Sequence, residues 1–510
     1  MSQHTTADDD DAPLLDRIRE NPQPAIRWAA VAAVLLALQI GAVFGATMEL
    51  PPWDTLAGYV LGVPLLGALE PAFAAIASAG DRLAEIPTLL SRDLIPNRGH
   101  RVAGGPVFEM AIGGFEIVYW EWSGTFLGLP AAVAWFIRVA LVYLYAFVWL
   151  AWLWKAYLVF RENYRYADWT PTDDIIDRMR THRWGQFGFV IITMFVVMAL
   201  FAPTLGPTTF DENINKPYSH ELEYLDKETG EVETTLVGNA NLQSRSLGNA
   251  DSNFGLVSYD SYDRFHPFGT LQNGKDLFTF IALGSRVSLF IGIVAIGISS
   301  AIAFALAMVS AYYKGAIDLA SVLLSDSIQA MPRLLVLIGA AVLLRGTWIA
   351  DVYNGGFLLA LLFGGWGWPG LWRAVRGPSF QVVEREWVDA ARSYGQTPRR
   401  IMQKHMAPYV VGYLLIYASM NLGGIIIGTS ALSFLGLGIT PPTPEWGRAI
   451  NMGQEYVATS SWHISMIPGI LIVIVVTGFN ALGDGIRDAI DPQSESSGAS
   501  GESAAAGGGA

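Results

Sequence analysis

Long apolar runs separated by short polar connections dominate the chain. A helix that crosses a bilayer needs about 20 mostly apolar residues. Eight stretches meet that length: 26–48, 131–155, 187–206, 284–312, 317–345, 355–375, 410–437 and 464–484. Because a lipid-embedded backbone must satisfy its own hydrogen bonds, the pattern predicts an all-α integral membrane protein. A further apolar segment, Tyr59 to Ala79, is interrupted by Gly and Pro and reads as interfacial or re-entrant. The run Ile26 to Met48 follows the acidic stretch Asp8 to Asp11, where a secretory signal would be basic, so it is expected to be a retained helix.

Charge in the connections orients these helices. The segment Arg161 to Trp184 carries Arg161, Arg165, Arg178, Arg180 and Arg183, and the connection between the sixth and seventh runs carries Arg385, Arg392, Arg399, Arg400 and Lys404. Pro207 to Thr279 is instead acidic and poor in basic residues. The two basic connections are expected in the cytoplasm and the acidic one outside, which eight helices with both termini inside satisfy. The expected divisions are a disordered acidic tail (1–25), an N-terminal region with two spanning helices and an external segment (26–170), a next spanning helix (171–206), an external acidic loop (207–283), the remaining helices (284–492) and a disordered Ser/Gly/Ala/Glu tail (493–510).

Composition narrows the function. The 510 residues are 52% hydrophobic and 15% charged, against about a quarter charged in soluble domains. The formal net charge is -13, and no basic stripe points to nucleic acid. The absence of Cys removes disulfides, thiolate metal sites and Cys nucleophiles together.

The connection after the sixth run has a pattern of its own. In Glu386 to Gly395, Trp387, Ala390, Ala391 and Tyr394 fall at i, i+3, i+4 and i+7 of a helix, an apolar stripe with Glu386, Asp389, Arg392 and Ser393 away from it. Gly395 supplies a left-handed stop. Thr397-Pro398 restarts a helix, with Thr as N-cap and Pro in the first turn. Arg399, Arg400, Lys404, His405 and Pro408 lead into the next run. By pattern alone, an amphipathic helix lying on the membrane surface fits equally well.

Asp389-Ala390-Ala391, three residues, Gly395, nine residues and His405-Met406-Ala407-Pro408 resembles the "EAA" loop of permeases in binding-protein-dependent ATP-binding-cassette (ABC) importers. Asp389 replaces the usual Glu and Ala407 the usual Leu, which keeps the charge and the apolar position. Ser433 to Gly438 with Pro441 to Gly447, and Phe479 to Asp488 through Asp491-Pro492, resemble the dipeptide, oligopeptide and nickel permeases of that group. His266 to Thr270 with Gly274-Lys275-Asp276 is similar to the segment before their second core helix, departing from it at Leu271 and Lys275. The resemblance covers roughly Asp174 to Pro492; the first 170 or so residues have no counterpart in it.

The resemblance implies a six-helix type I permease core with an N-terminal extension of about two extra helices, in the cell membrane. It implies a coupling loop at 384–408, with Glu386, Asp389, Ala390, Ala391, Arg392, Gly395, His405 and Pro408 as its residues. The implied partners are a second, related permease subunit, two ATP-binding subunits that hold ATP and Mg, an extracytoplasmic solute-binding protein and membrane lipid. No cofactor is implied for this chain, and the cargo is expected to be a peptide, with nickel or another small solute as the alternative. Asp326, Ser433 and Phe434 are candidates for the translocation path; an acid inside an apolar run is a functional candidate by default, while Asp318 is expected at a helix end.

Other motifs fail on context. Gly269 to Lys275 spells the start of a phosphate loop, but Asp276 stands where Ser or Thr would bind magnesium. His220-Glu221 begins a zinc-protease pattern that Tyr224 breaks. Neither His405 nor Ser433 has the partners of a catalytic group. An ion-driven secondary transporter would show broken helices in matched halves, and it leaves the 384–408 pattern unexplained. A membrane-embedded enzyme lacks a catalytic cluster.

Overall fold

The computed structural model describes residues 13–39, 90–102, 108–112, 115–119, 121–165, 170–249 and 251–490. Most of the acidic N-terminal tail, the end of the first apolar run, Tyr59 to Ala79, Asp491-Pro492 and the C-terminal tail lie outside the described residues. Contacts divide the chain into two units, one ending at Asp174 and including Lys227–Glu231, the other Ile175–Asp226 with everything from Val232 onward.

In the first unit, α1 (Leu14–Glu20) and α2 (Gln23–Ala37) precede two antiparallel ribbons, His100–Arg101 with Trp122–Ser123 and Phe108–Ile112 with Phe115–Tyr119. Helix α3 (Ala131–Asn163) follows, and α2 packs along it. Helix α4 (Pro171–Thr181) leads into the second unit.

In the second unit, α5 (Arg183–Leu200) lies against the last helix, and a polar region with α6 (Val237–Gln243) reaches the 37-residue α7 (Leu277–Tyr313). Then come α8 (Gly315–Ala330), α9 (Arg333–Leu343), α10 (Gly356–Val383), α11 (Glu386–Ser393), α12 (Ala407–Phe434), α13 (Trp446–Gly453) and α14 (His463–Ile490). Helix α7 is central: it packs on α5, α10 and α12. Six helices among the described residues are long and apolar enough to span, and the bent pair α8–α9 makes a seventh if taken as one span.

Three features differ from the sequence expectation. The run 317–345 is two helices meeting at 81° rather than one. Pro332 disfavours helical backbone at the residue before it, and Met331 is extended (ψ 140°). Helix α7 begins at Leu277, seven residues before 284, because the Asp276 carboxylate caps it, accepting the Thr279 N–H at 2.6 Å. The acidic segment 207–283 is folded: Glu221–Leu225 pairs antiparallel with Val232–Leu236, Ser258–Tyr259 pairs with Phe265–His266, and α6 lies between the two ribbons.

The α5–α14 contact depends on missing side chains. A Cβ on Gly188 would sit 2.3 Å from the Leu482 nitrogen and 2.6 Å from the Gly478 carbonyl oxygen, both backbone atoms that cannot step aside. Gly188→Leu is therefore expected to force these helices apart, costing more than the roughly 1–3 kcal/mol of ordinary overpacking. The variant should lose its monodisperse peak on size-exclusion chromatography. Gly365→Leu, on an exposed helical position with open space around it, should keep that peak.

Candidate coupling element and polar path

Helix α11 and the chain after it are held together by a tight turn and one side-chain contact. Glu386 lies in the first turn, where a carboxylate complements the helix dipole, and Arg392 in the last. The helix stops at a Schellman turn: Gly395 N–H donates to the Arg392 carbonyl at 2.9 Å and Gln396 N–H to the Ala391 carbonyl at 3.1 Å. Gly395 has φ +71°, as its left-handed role requires. Thr397 occupies the N-cap position with Pro398 in the first turn, although its hydroxyl makes no capping bond. His405 Nε2 lies 3.1 Å from the Gln396 Oε1, tying the two arms across the turn.

The second arm runs into the membrane helix without a break. Pro398–Ile401 continues through a wide π turn, Met402–Met406, into α12. Pro408 withholds the N–H that would bond the Lys404 carbonyl, and the turn before it opens into π geometry.

The apolar stripe of α11 is divided between two faces. Val388 and Ala391 are buried, 0% and 4% exposed, in one cluster with Ala307 and Met308 of α7, Trp372 and Val383 of α10, and Ile401 and Met406. The sequence stripe Trp387/Ala390/Ala391/Tyr394 is thus corrected: only Ala391 faces inward, and Val388 is its partner. Trp387 is 40% and Tyr394 87% exposed, and Ala390 is exposed beside them. Trp387 stacks on Tyr409, ring centroids 5.5 Å apart, and Arg392 lies over the Tyr312 ring while reaching Asp389 at 3.3 Å.

Three ion pairs climb between α8 and α10. Lys314 meets Glu384 at 3.1 Å, Arg376 Nε donates to Asp318 at 2.8 Å, and Arg373 pairs with Asp326 and donates to Gln329 at 3.1 Å. Asp318 sits in the first turn of α8, as expected. The Asp326 and Arg373 side chains are about half exposed, 54% and 47%. Charges at membrane depth face protein or a water-filled path rather than lipid, so Asp326 keeps its candidacy and gains a partner. Arg373 and Arg376 were not singled out in the sequence; the signal was two arginines one turn apart in an otherwise apolar run.

Ser433 and Phe434 have another setting. Ser433 is 2% exposed, and its Oγ accepts the Ile439 N–H at 3.4 Å. It hydrogen-bonds Glu445, which also accepts from Ser430 at 2.9 Å and from the Arg448 N–H at 3.1 Å. Ser433 is therefore buried beneath the surface of this chain. Its hydroxyl helps satisfy a buried carboxylate that burial pushes above the usual range. Phe434 is half-buried at the end of α12, and its carbonyl accepts from Asn451 at 2.8 Å.

Gly269 to Lys275 is a turn leading into α7, and the Asp276 carboxylate beside it would repel a phosphate. His220 precedes an extended strand rather than a metal-binding helix.

Six helices among the described residues that are long and apolar enough to cross a bilayer make this a multi-pass membrane protein. The binding-protein-dependent transport system inner membrane component family matches residues 289–495. The N-terminal TM domain of oligopeptide transport permease C matches residues 170–221. The glutathione transport system permease protein GsiD of Escherichia coli O157:H7 is 34% identical over 228 residues, 45% of this chain and 72% of that protein. The dipeptide transport system permease protein DppC of Alkalihalophilus pseudofirmus is 27% identical over 332 residues, 65% of this chain and 93% of that protein. The chain belongs to the binding-protein-dependent inner membrane component family: it is a multi-pass permease subunit of an ABC importer, a transport component whose ATP hydrolysis resides in partner subunits.

Proposed function

We propose that Glu386 to Pro408 is the element that docks on the ATPase, and that the importer carries short peptides. The exposed apolar face of α11 carries the first part. Trp387, Ala390 and Tyr394 lie on a Lys/Arg-rich connection of the kind expected in the cytoplasm, on a helix whose other face is locked into the core. A solvent-facing apolar patch on a braced helix fits a protein socket better than a bilayer surface, because Glu386, Asp389 and Arg392 interrupt it. The partners are a second permease subunit, two ATP-binding subunits and an external solute-binding protein, and both termini are cytoplasmic. Asp326 with Arg373 belongs to the path. Peptide cargo rests on relatives named for dipeptide and for glutathione, itself a short peptide.

Ala390→Arg tests the docking face. It projects charge and bulk outward, so permease stability should move by no more than about 0.5 kcal/mol. ATPase subunits co-expressed with it should co-purify at least about tenfold less, as expected for losing roughly 1.4 kcal/mol of binding. Val388→Asp, on the buried face, should reduce folded permease instead. Full ATPase recovery with Ala390→Arg sinks the assignment of this face.

A further inference from the structure

Between α2 and α3 lies a cavity of about 490 Å³. Gln23, Arg27 and Val31 line it from α2 at four-residue spacing, and Lys155, Val159 and Asn163 line it from α3 at the same spacing. Each set is therefore one helical face. The helices are fastened at two levels along its lining. Trp28 Nε1 donates to the Trp152 carbonyl at 3.0 Å and Trp152 Nε1 to the Trp28 carbonyl at 3.2 Å. The Tyr164 hydroxyl donates to the Asn21 carbonyl at 2.7 Å and accepts from the Ala25 N–H at 3.1 Å.

The lining is graded. Val31 and Trp152 lie toward the apolar length of both helices, Arg27 and Lys155 in the middle, and Asn21 and Asn163 at the polar end. Neither Arg27 nor Lys155 has an acidic partner among the described residues. The Lys155 ammonium lies 4.8 Å from the Trp152 ring centroid, held over the cavity wall. Helix α3 has 33 residues, so it is about 50 Å long against a hydrocarbon core of about 30 Å. Ala131 to Leu150 is nearly all apolar and fills that core, which puts Trp152, Trp154 and Lys155 at the interface.

We propose that this cavity binds one anionic phospholipid. The phosphodiester lies between Arg27 and Lys155, the glycerol end meets Asn21 and Asn163, and the acyl chains run up past Val31 and Trp152. Basic pockets between spanning helices at the interface recognise such headgroups, and the apolar end favours a lipid over a free anion.

The test is native mass spectrometry of the full chain in detergent, titrated with phosphatidylglycerol or phosphatidylcholine. Wild type should retain one phosphatidylglycerol at concentrations where phosphatidylcholine is lost. Arg27→Gln with Lys155→Gln should weaken phosphatidylglycerol retention on the order of 30-fold, the loss of two cations near an anionic headgroup. The charge-keeping pair Arg27→Lys with Lys155→Arg should restore most of it. If the Gln pair does not yield folded protein, the two exposed single Gln variants give the same readout, each with a smaller loss. Equal retention of both lipids, undiminished phosphatidylglycerol binding in the Gln variants, or displacement of the lipid by inorganic phosphate at millimolar concentration overturns the proposal.

Discussion

Gly395→Val is expected to yield a permease that folds, inserts and recruits its ATPase but transports almost nothing. The glycine has φ +71°, and a Cβ added to it would meet no atom within 4 Å, so a side chain would find space there. What it would not find is an allowed backbone, since a β-branched residue in the left-handed region is a true outlier, at a cost of roughly 1–3 kcal/mol. The chain can relieve that strain only by opening the Schellman turn, releasing the Ala391 and Arg392 carbonyls. The angle between α11 and the arm that continues into α12 is then no longer fixed. Closure of the ATPase would bend the loop and leave the bundle where it was. Uptake by vesicles should fall at least about tenfold while ATP hydrolysis persists. Gly395→Asn, tolerated in this conformation, should keep most transport. Wild-type uptake by the Val variant would remove the turn from the mechanism.

The helix, turn and second arm of 386–408 were legible in the sequence because their parts are local. A glycine stop and a Thr-Pro restart each act within one turn of chain, and the structure has the left-handed Gly395 and a helix restarting at Pro398, though without a bond from the Thr397 hydroxyl. The division of the stripe was not legible. Val388 or Trp387 could equally have faced the core by periodicity, and only the packing of α7, α10 and α12 selects Val388. Apolar runs located the spans, but hydropathy averages over a window. It therefore smoothed across the Met331-Pro332 break and missed the capping carboxylate of Asp276. Pairings such as Asp326 with Arg373 and Ser433 with Glu445 join residues far apart or across a loop, and spacing carries no information about them. The folded segment 207–283 was hidden for the same reason: its stabilising groups are polar, so composition reads it as a loop.

That region supplies the second large effect. Asp260 is 3% exposed and lies within 2.7 Å of Arg264 and 3.3 Å of His266, whose other ring nitrogen is 3.0 Å from Asp276. Arg264 also reaches Asn241 and Ser244 at 2.6 and 3.1 Å. Since Asp276 caps α7, and His463 at the start of α14 reaches the Thr270 carbonyl at 3.0 Å, the cluster fixes the folded segment to two membrane helices. Asp260→Ala leaves Arg264 and His266 buried beside an empty site. Breaking a buried pair in this way costs about 3–5 kcal/mol, so the variant should melt far below wild type, while exposed Asp251→Asn should not. The pH dependence has a definite sign. Burial alone would raise the Asp260 carboxyl, but Arg264 and His266 hold it well below the usual range. Burial alone would lower His266, but hydrogen bonds to Asp260 and Asp276 hold it above 6.5. The Asp260 contribution is present above about pH 4 and lost as pH falls through its depressed value; the His266 contribution is full below about pH 6.5 and lost as pH rises through its elevated value. The cluster therefore stabilises most between about pH 4 and 6.5. The melting difference between wild type and His266→Gln should be largest near pH 6 and shrink toward pH 9; a difference that grows with alkalinity would show that His266 is neutral in the fold.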